Sequence, residues 1–191
     1  MSPIFVSDTG AGEFTPHPEG QFAARCIDVV DMGWQRTDFG PKYKIRVVFF
    51  CGRTERREIE GEARDVPLTV VGFFTASLNE KANLRKFLES WRGKPFLVEE
   101  AARFDMERML DAKALIQVAH HKSTNGKTYA NITSIMKLPQ GMAAPDKPTD
   151  YVRVCDRPEW TGPAPHPDHG ESREEPAPTY TGHQPDDDLP F

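Results

Sequence analysis

Apolar residues alternate with polar ones along several stretches of the chain and recur at helical spacing in one. Residues 21–32 (QFAARCIDVVDM) read as a first strand, closed by Gly33 and a polar loop over 35–40. The second, 42–50 (KYKIRVVFF), alternates cleanly at its start. Tyr43, Ile45 and Val47 share one face and Lys42, Lys44 and Arg46 the other, because successive strand residues point to opposite sides. One face is therefore predicted to be core and the other cationic. A charged loop, RTERREIEGEARD (53–65), leads to a third strand over 66–75 (VPLTVVGFFT), with Pro67 near its start and Gly72 marking a bend or bulge.

The helix is the best-marked element. Ser77, Leu78, Asn79 and Glu80 fit a capping box, Leu84, Phe87, Leu88 and Trp91 follow at helical spacing, and Gly93 and Pro95 stop it. A short turn over 104–110 precedes a fourth strand, 114–121 (ALIQVAHH). Asn125-Gly126 is a hairpin signal, and a fifth strand runs over 129–138 (YANITSIMKL). The order β-β-β-α-β-β predicts an all-β class, a β-barrel with one helix. It is the chain order of the OB-fold, a five-stranded Greek-key barrel plugged by a helix between its third and fourth strands. An SH3-type barrel or an α+β sandwich gives similar periodicity, so both stay open.

Charge divides the chain. The net charge of −5 over 191 residues hides 11 acidic and 4 basic residues in 142–191, against 20 basic and 18 acidic in 1–141. Eleven of the 17 prolines also follow Leu138. A stretch without periodic apolar residues buries too little surface to offset its chain entropy, so the chain from Gly141 on is expected to be mostly disordered. The exception is Tyr151-Val152-Arg153-Val154-Cys155, which alternates and ends near Trp160, and is a candidate edge strand. The expected division is a flexible segment (1–17), an OB-fold body (18–141), a Pro-rich acidic linker (142–185) and a terminal tip (186–191). Neither a membrane-spanning run nor a signal peptide is visible, which predicts an intracellular protein without a membrane partner. Cys26, Cys51 and Cys155 form no CxxC pair and are expected to be reduced, buried thiols.

No catalytic motif is found, and no cofactor or metal is implied. The histidines, at 17, 120, 121, 166, 169 and 183, lack ligand-like companions in the body, and the adjacent His120 and His121 point to opposite strand faces. The expectation is a binding protein, not an enzyme. Single-stranded nucleic acid needs cations along its backbone and flat aromatic faces for its bases. Trp34 and Phe39 are placed in the first loop with Arg36, and Lys42, Lys44 and Arg46 line the second strand. In the hairpin, Lys122 and Lys127 flank the turn beside His121, Tyr129 and Asn131. These positions map onto the OB binding face, formed by strands two and three with the loops after strands one and four. Tyr43, Phe49, Phe50, Phe73, Phe74 and Trp91 are read as core aromatics. Trp34 is the sharpest candidate, having no obvious apolar neighbour.

The chain ends Asp186, Asp187, Asp188, Leu189, Pro190, Phe191. This resembles the acidic C-terminal tip of bacterial single-stranded DNA-binding proteins. The resemblance implies that the Phe191 ring enters an apolar pocket on a partner enzyme, with its α-carboxylate on an Arg or Lys and the aspartates on a basic rim. Residues 76–96 (ASLNEKANLRKFLESWRGKPF), 104–141 and 18–35 are similar to a family of phage-encoded OB-fold proteins regarded as single-stranded DNA-binding or replication proteins. Together these resemblances imply a protein that coats single-stranded DNA without sequence preference in the bacterial host cytoplasm and recruits replication or recombination enzymes through its tip. A homo-oligomer is left open, since one OB-fold covers only about 4–16 nucleotides. The alternatives are an RNA-binding OB module and a DNA-mimic protein that inhibits a host enzyme.

Overall fold

The computed structural model describes residues 15–59, 61–123 and 126–167. The proposed tip, most of the N-terminal segment and Asn125 of the hairpin turn lie outside the described residues. Five strands, β1 (Gly20–Thr37), β2 (Gly40–Ile59), β3 (Glu62–Thr75), β4 (Lys113–Lys122) and β5 (Thr128–Lys137), form one antiparallel sheet in the order β3-β2-β1-β4-β5. The edge strands β3 and β5 approach one another without pairing, so the sheet is curled but not closed. β1 holds the centre by pairing with β4 over Gly20 to Arg25 and with β2 from Arg25 onward.

The alternation read in β2 decides which way the sheet faces. Ile45, Val47 and Phe49 point inward and pack with Ala24, Val70, Ile116, Val118 and Ile135 in one core. Helix α1 (Asn83–Arg92) covers this core with Leu84, Leu88 and Trp91, and the Trp91 indole donates to the Lys113 carbonyl at 2.9 Å. Gly93 ends the helix at φ +70°, a conformation open to glycine at little cost.

Helix α1 starts at Asn83 with Ala82 at its N-cap, so the capping box expected at Ser77 does not form. The Ser77 hydroxyl instead accepts from the Asn79 amide, and the Asn79 side chain from the Lys81 amide, so both stabilise the turn before the helix. A short helix α2 (Val98–Ala102), too brief to carry a periodic signal, follows Leu97.

Two stretches expected as loops are strand. β1 and β2 continue almost to their hairpin tip, with Arg36 opposite Pro41 and Thr37 opposite Gly40. The charged stretch after Phe50 prolongs β2 and β3 into a two-stranded arm, where Arg56 faces Asp65 and Glu58 faces Ala63. Strand pairing satisfies the backbone whatever the side chains, so a highly charged sequence forms an exposed ribbon. The register shifts between Phe50 and Thr54, and Pro67 stands opposite Thr54, where the shift tolerates a residue without an N–H. Gly72 makes no bulge; it pairs with Val47, and a side chain there would meet the Phe74 ring at 2.7 Å.

Residues 142–167 differ most from expectation. They form a strap across the outer face of β1 and β2. The Tyr151 hydroxyl and the Val154 amide both donate to Asp28 Oδ2, at 3.0 and 2.9 Å, and Arg153 donates to Asp28 Oδ1 at 3.2 Å. Further on, Ala164 bridges the free edge of β1, taking a bond from the Trp34 amide at 2.8 Å and donating to the Met32 carbonyl at 3.2 Å. Tyr151 roofs a second apolar cluster of Ile27, Val48 and Phe50. The segment around Tyr151 to Cys155 is no edge strand; it turns through a 3-10 helix at Val154–Asp156. Its order comes from a buried carboxylate and a few apolar contacts, which proline content does not reveal.

Candidate nucleic-acid interface

The outer face of β2 and β3 carries the cations that strand alternation placed there. Lys42 and Lys44 line a cleft of about 450 Å³ together with Phe73, Thr75 and Lys81. Lys44 Nζ donates to Thr75 Oγ1 at 3.0 Å, its cross-strand partner. One step along β2, Arg46 lies directly opposite Phe73. Phe73 is 62% exposed, whereas Phe74 is turned inward against Phe87 with ring centroids 4.5 Å apart. A large aromatic side chain left in solvent within a row of cations is the combination that a stacked, charged strand requires. The core position expected for Phe73 is thereby corrected. The pattern Val70, Gly72, Phe74 on the inner face carries the signal that Phe73 faces outward.

Trp34 is not in a loop and does not join this row. It stands in β1 opposite Tyr43, its indole edge-on to Tyr43 at 5.6 Å and to His166 of the strap at 4.5 Å. Tyr43 alternates with Lys42 and Lys44, so Trp34 belongs to the opposite side of the hairpin. The neighbours that half-bury it come from β2 and the strap. Tyr43 donates to Asp31 at 2.8 Å, and burial, with that carboxylate's help, pushes its pKa up to about 12. Arg36 is exposed on β1, and Phe39, at the hairpin tip, is 89% exposed.

The remaining candidates sit at the other end of β1. His121, Tyr129 and Asn131 share one face of the β4–β5 hairpin, His121 facing Tyr129 and Asn131 facing Ala119. Lys122, opposite Thr128, points to the other side, and Lys127 is exposed beside the turn. The candidates therefore form two groups, near the two hairpin tips. His120 does not pair with His121; its Nε2 donates to the His17 carbonyl at 2.9 Å.

Reactive chemistry is sparse. Cys26 and Cys51 are pushed up to about 12 by burial and are poor nucleophiles, while Cys155 is exposed and not the buried thiol expected. Among the described residues no group of three metal-ligating side chains comes together. No described helix is long and apolar enough to cross a membrane. Comparison with protein-family models and with curated proteins gives no match to the chain.

Proposed function

We propose that this protein binds single-stranded DNA without sequence preference through the outer face of β2 and β3. The observation that carries the reading is the exposed Phe73 ring in register with Arg46 and flanked by Lys42 and Lys44. Bases stack on an aromatic face regardless of identity, and the ammonium and guanidinium groups follow the phosphates. The strand order β3-β2-β1-β4-β5, with α1 between β3 and β4 and β3 unpaired with β5, supports an OB-fold, a five-stranded and partly open barrel that uses this surface. The resemblance to phage-encoded OB-fold proteins accords with it, as does a role in phage DNA replication or recombination in the host cytoplasm. The tip, Asp186 to Phe191, is the segment proposed to recruit partner enzymes.

The test is an anisotropy titration of the full chain against a labelled dT oligonucleotide, an RNA of equal length and a duplex, at two salt concentrations. Binding is expected to favour dT and to weaken with salt, because phosphate contacts release counterions. Phe73→Ala is expected to cost about 1–3 kcal/mol of affinity, the worth of one stacked base. Equal or tighter binding to RNA would favour the RNA module instead. No binding to any strand would remove nucleic acid from the account.

A further inference from the structure

The strap and the β2–β3 ribbon enclose a second cleft, of about 520 Å³, next to the Phe73 row. Three guanidiniums wall it: Arg46 from β2, Arg57 from the arm and Arg157 from the strap. Its floor is apolar, with Val48, Leu68 and Tyr151, and Asp150 is the carboxylate at its rim.

Elsewhere in the described chain, several arginines are neutralised by a carboxylate. Arg25 meets Asp146, Arg64 meets Glu62, Arg85 meets Glu89, Arg92 meets Glu100, and Arg153 meets both Asp28 and Glu107. Of the three in the cleft, Arg57 alone has an ion pair among the described residues, with Glu55 at 2.6 Å. Among the described residues Arg157 donates to the Val152 carbonyl alone, at 3.2 Å, and it stands over the Tyr151 ring. Arg46 makes no ion pair among the described residues, and its Nε is shielded from solvent without a hydrogen-bond partner. A guanidinium without a counter-ion at a cleft wall favours an anionic oxygen there, held by charge-assisted hydrogen bonds from its accessible terminal nitrogens.

We infer that this cleft binds the sugar-phosphate backbone of a single strand, with Arg46 and Arg157 each taking a phosphate. The cleft is of ligand size, larger than an inorganic anion needs, and an apolar floor suits a sugar or base edge. Arg46 also makes it continuous with the Phe73 row, so one strand passes from the stacking platform to under the strap. The inference rests on the single-stranded reading and adds to it a contribution from the strap. Asp28 would place a carboxylate on this face; the strap covers it and adds Arg157.

The test uses the full chain with Arg46→Gln and Arg157→Gln, singly and together, and Arg108→Gln as an exposed charge control outside the cleft. Each is titrated with the dT oligonucleotide over a salt series, with thermal unfolding recorded in parallel. The double variant is expected to bind at least about ten-fold more weakly at low salt. The slope of log affinity against log salt is expected to fall by about 0.7 for each phosphate that is no longer neutralised, with Arg108→Gln near wild type. Arg46 belongs to the Phe73 row as well, so Arg157→Gln is the deciding variant: if it folds and matches Arg108→Gln in affinity and slope, the cleft is overturned while the Phe73 row stays intact. A wild type that does not bind dT would overturn the broader reading instead. Val152→Trp keeps the test sharp if the arginine variants unfold. Val152 lies on the cleft wall and is largely exposed, so a bulky ring there is expected to obstruct the strand without lowering the unfolding temperature. Unchanged affinity in that folded variant would equally count against the cleft.

Discussion

The imidazole of His17 is buried edge-on against Phe22, and its Nδ1 lies 3.0 Å from the Pro18 carbonyl. A carbonyl oxygen only accepts, so Nδ1 carries the proton and the neutral ring leaves Nε2 as a bare lone pair without a partner. Burial is the first cause that lowers the His17 pKa below its ordinary value, and Arg53 and His120 add repulsion for the imidazolium. The depressed value makes the neutral ring stabilising above the unfolded pKa of about 6.5, and that contribution is lost as pH falls through the folded pKa. Thermal unfolding between pH 7 and 5.5 is expected to show wild type losing stability faster than His17→Gln. Parallel pH dependences would take His17 out of the acid response. Asp28 is the contrasting buried polar residue, fully enclosed but satisfied by Tyr151, Arg153 and the Val154 amide. An aspartate in the apolar run Cys26-Ile27-Asp28-Val29-Val30 is a legible sign that some partner must cover it. Its partners, 123 to 126 residues away, cannot be named from spacing.

Strands and helix are legible because their signals are local. The inward Ile45, Val47 and Phe49 and the helical Leu84, Leu88 and Trp91 are core as their spacing requires. The row Lys42, Lys44, Arg46 can likewise be read from alternation, but the exposure of Phe73 and the sheltering of Trp34 depend on which elements pack over them. The ribbon arm is hidden because its pairing is carried by backbone groups that side-chain pattern does not report. The strap is hidden because its anchors are single contacts. One of those anchors is Gly33, at φ +65°, where a side chain would sit 2.2 Å from the Ala164 carbonyl oxygen. Gly33→Ala is therefore expected to detach the Ala164 bridge while β1 stays paired with β2. Limited proteolysis should then cut near residues 160–167 several-fold faster than in wild type, and an unchanged cleavage rate would show that the bridge does not hold the strap.

At the scale of the whole molecule, the packed and hydrogen-bonded part of the described chain continues past Gly141 through the strap. The strap carries four acidic and three basic residues, whereas residues 168–191 carry seven acidic and one basic. The net negative charge is thus concentrated beyond Pro167, and the strap is nearly neutral. Two truncations separate these parts. A chain ending at Pro167 is expected to unfold as wild type does and to bind dT more tightly at low salt, because the competing acidic segment is gone. A chain ending at Gly141 exposes Asp28 and the Ile27, Val48, Phe50 cluster, and is expected to be destabilised by several kcal/mol, the scale of opening a buried ionic network together with apolar contacts. Equal melting of the two truncations would return the end of the packed part to Gly141.

The bonds from Tyr151 and Val154 to Asp28 also impose an order of events on a growing polypeptide. Everything that builds the five strands and α1 precedes residue 138 and leaves the ribosome first, whereas the partners of Asp28 emerge more than a hundred residues after it. Synthesis adds about 5–20 residues per second, so the sheet has time to assemble with its outer face bare. Docking the strap is then a late, long-range closure whose entropy cost grows only slowly with the length of chain enclosed. The nascent protein therefore passes through an interval in which Asp28 still faces water and Arg157 has not arrived. It acquires the complete cationic face only once synthesis has carried the strap clear of the ribosome.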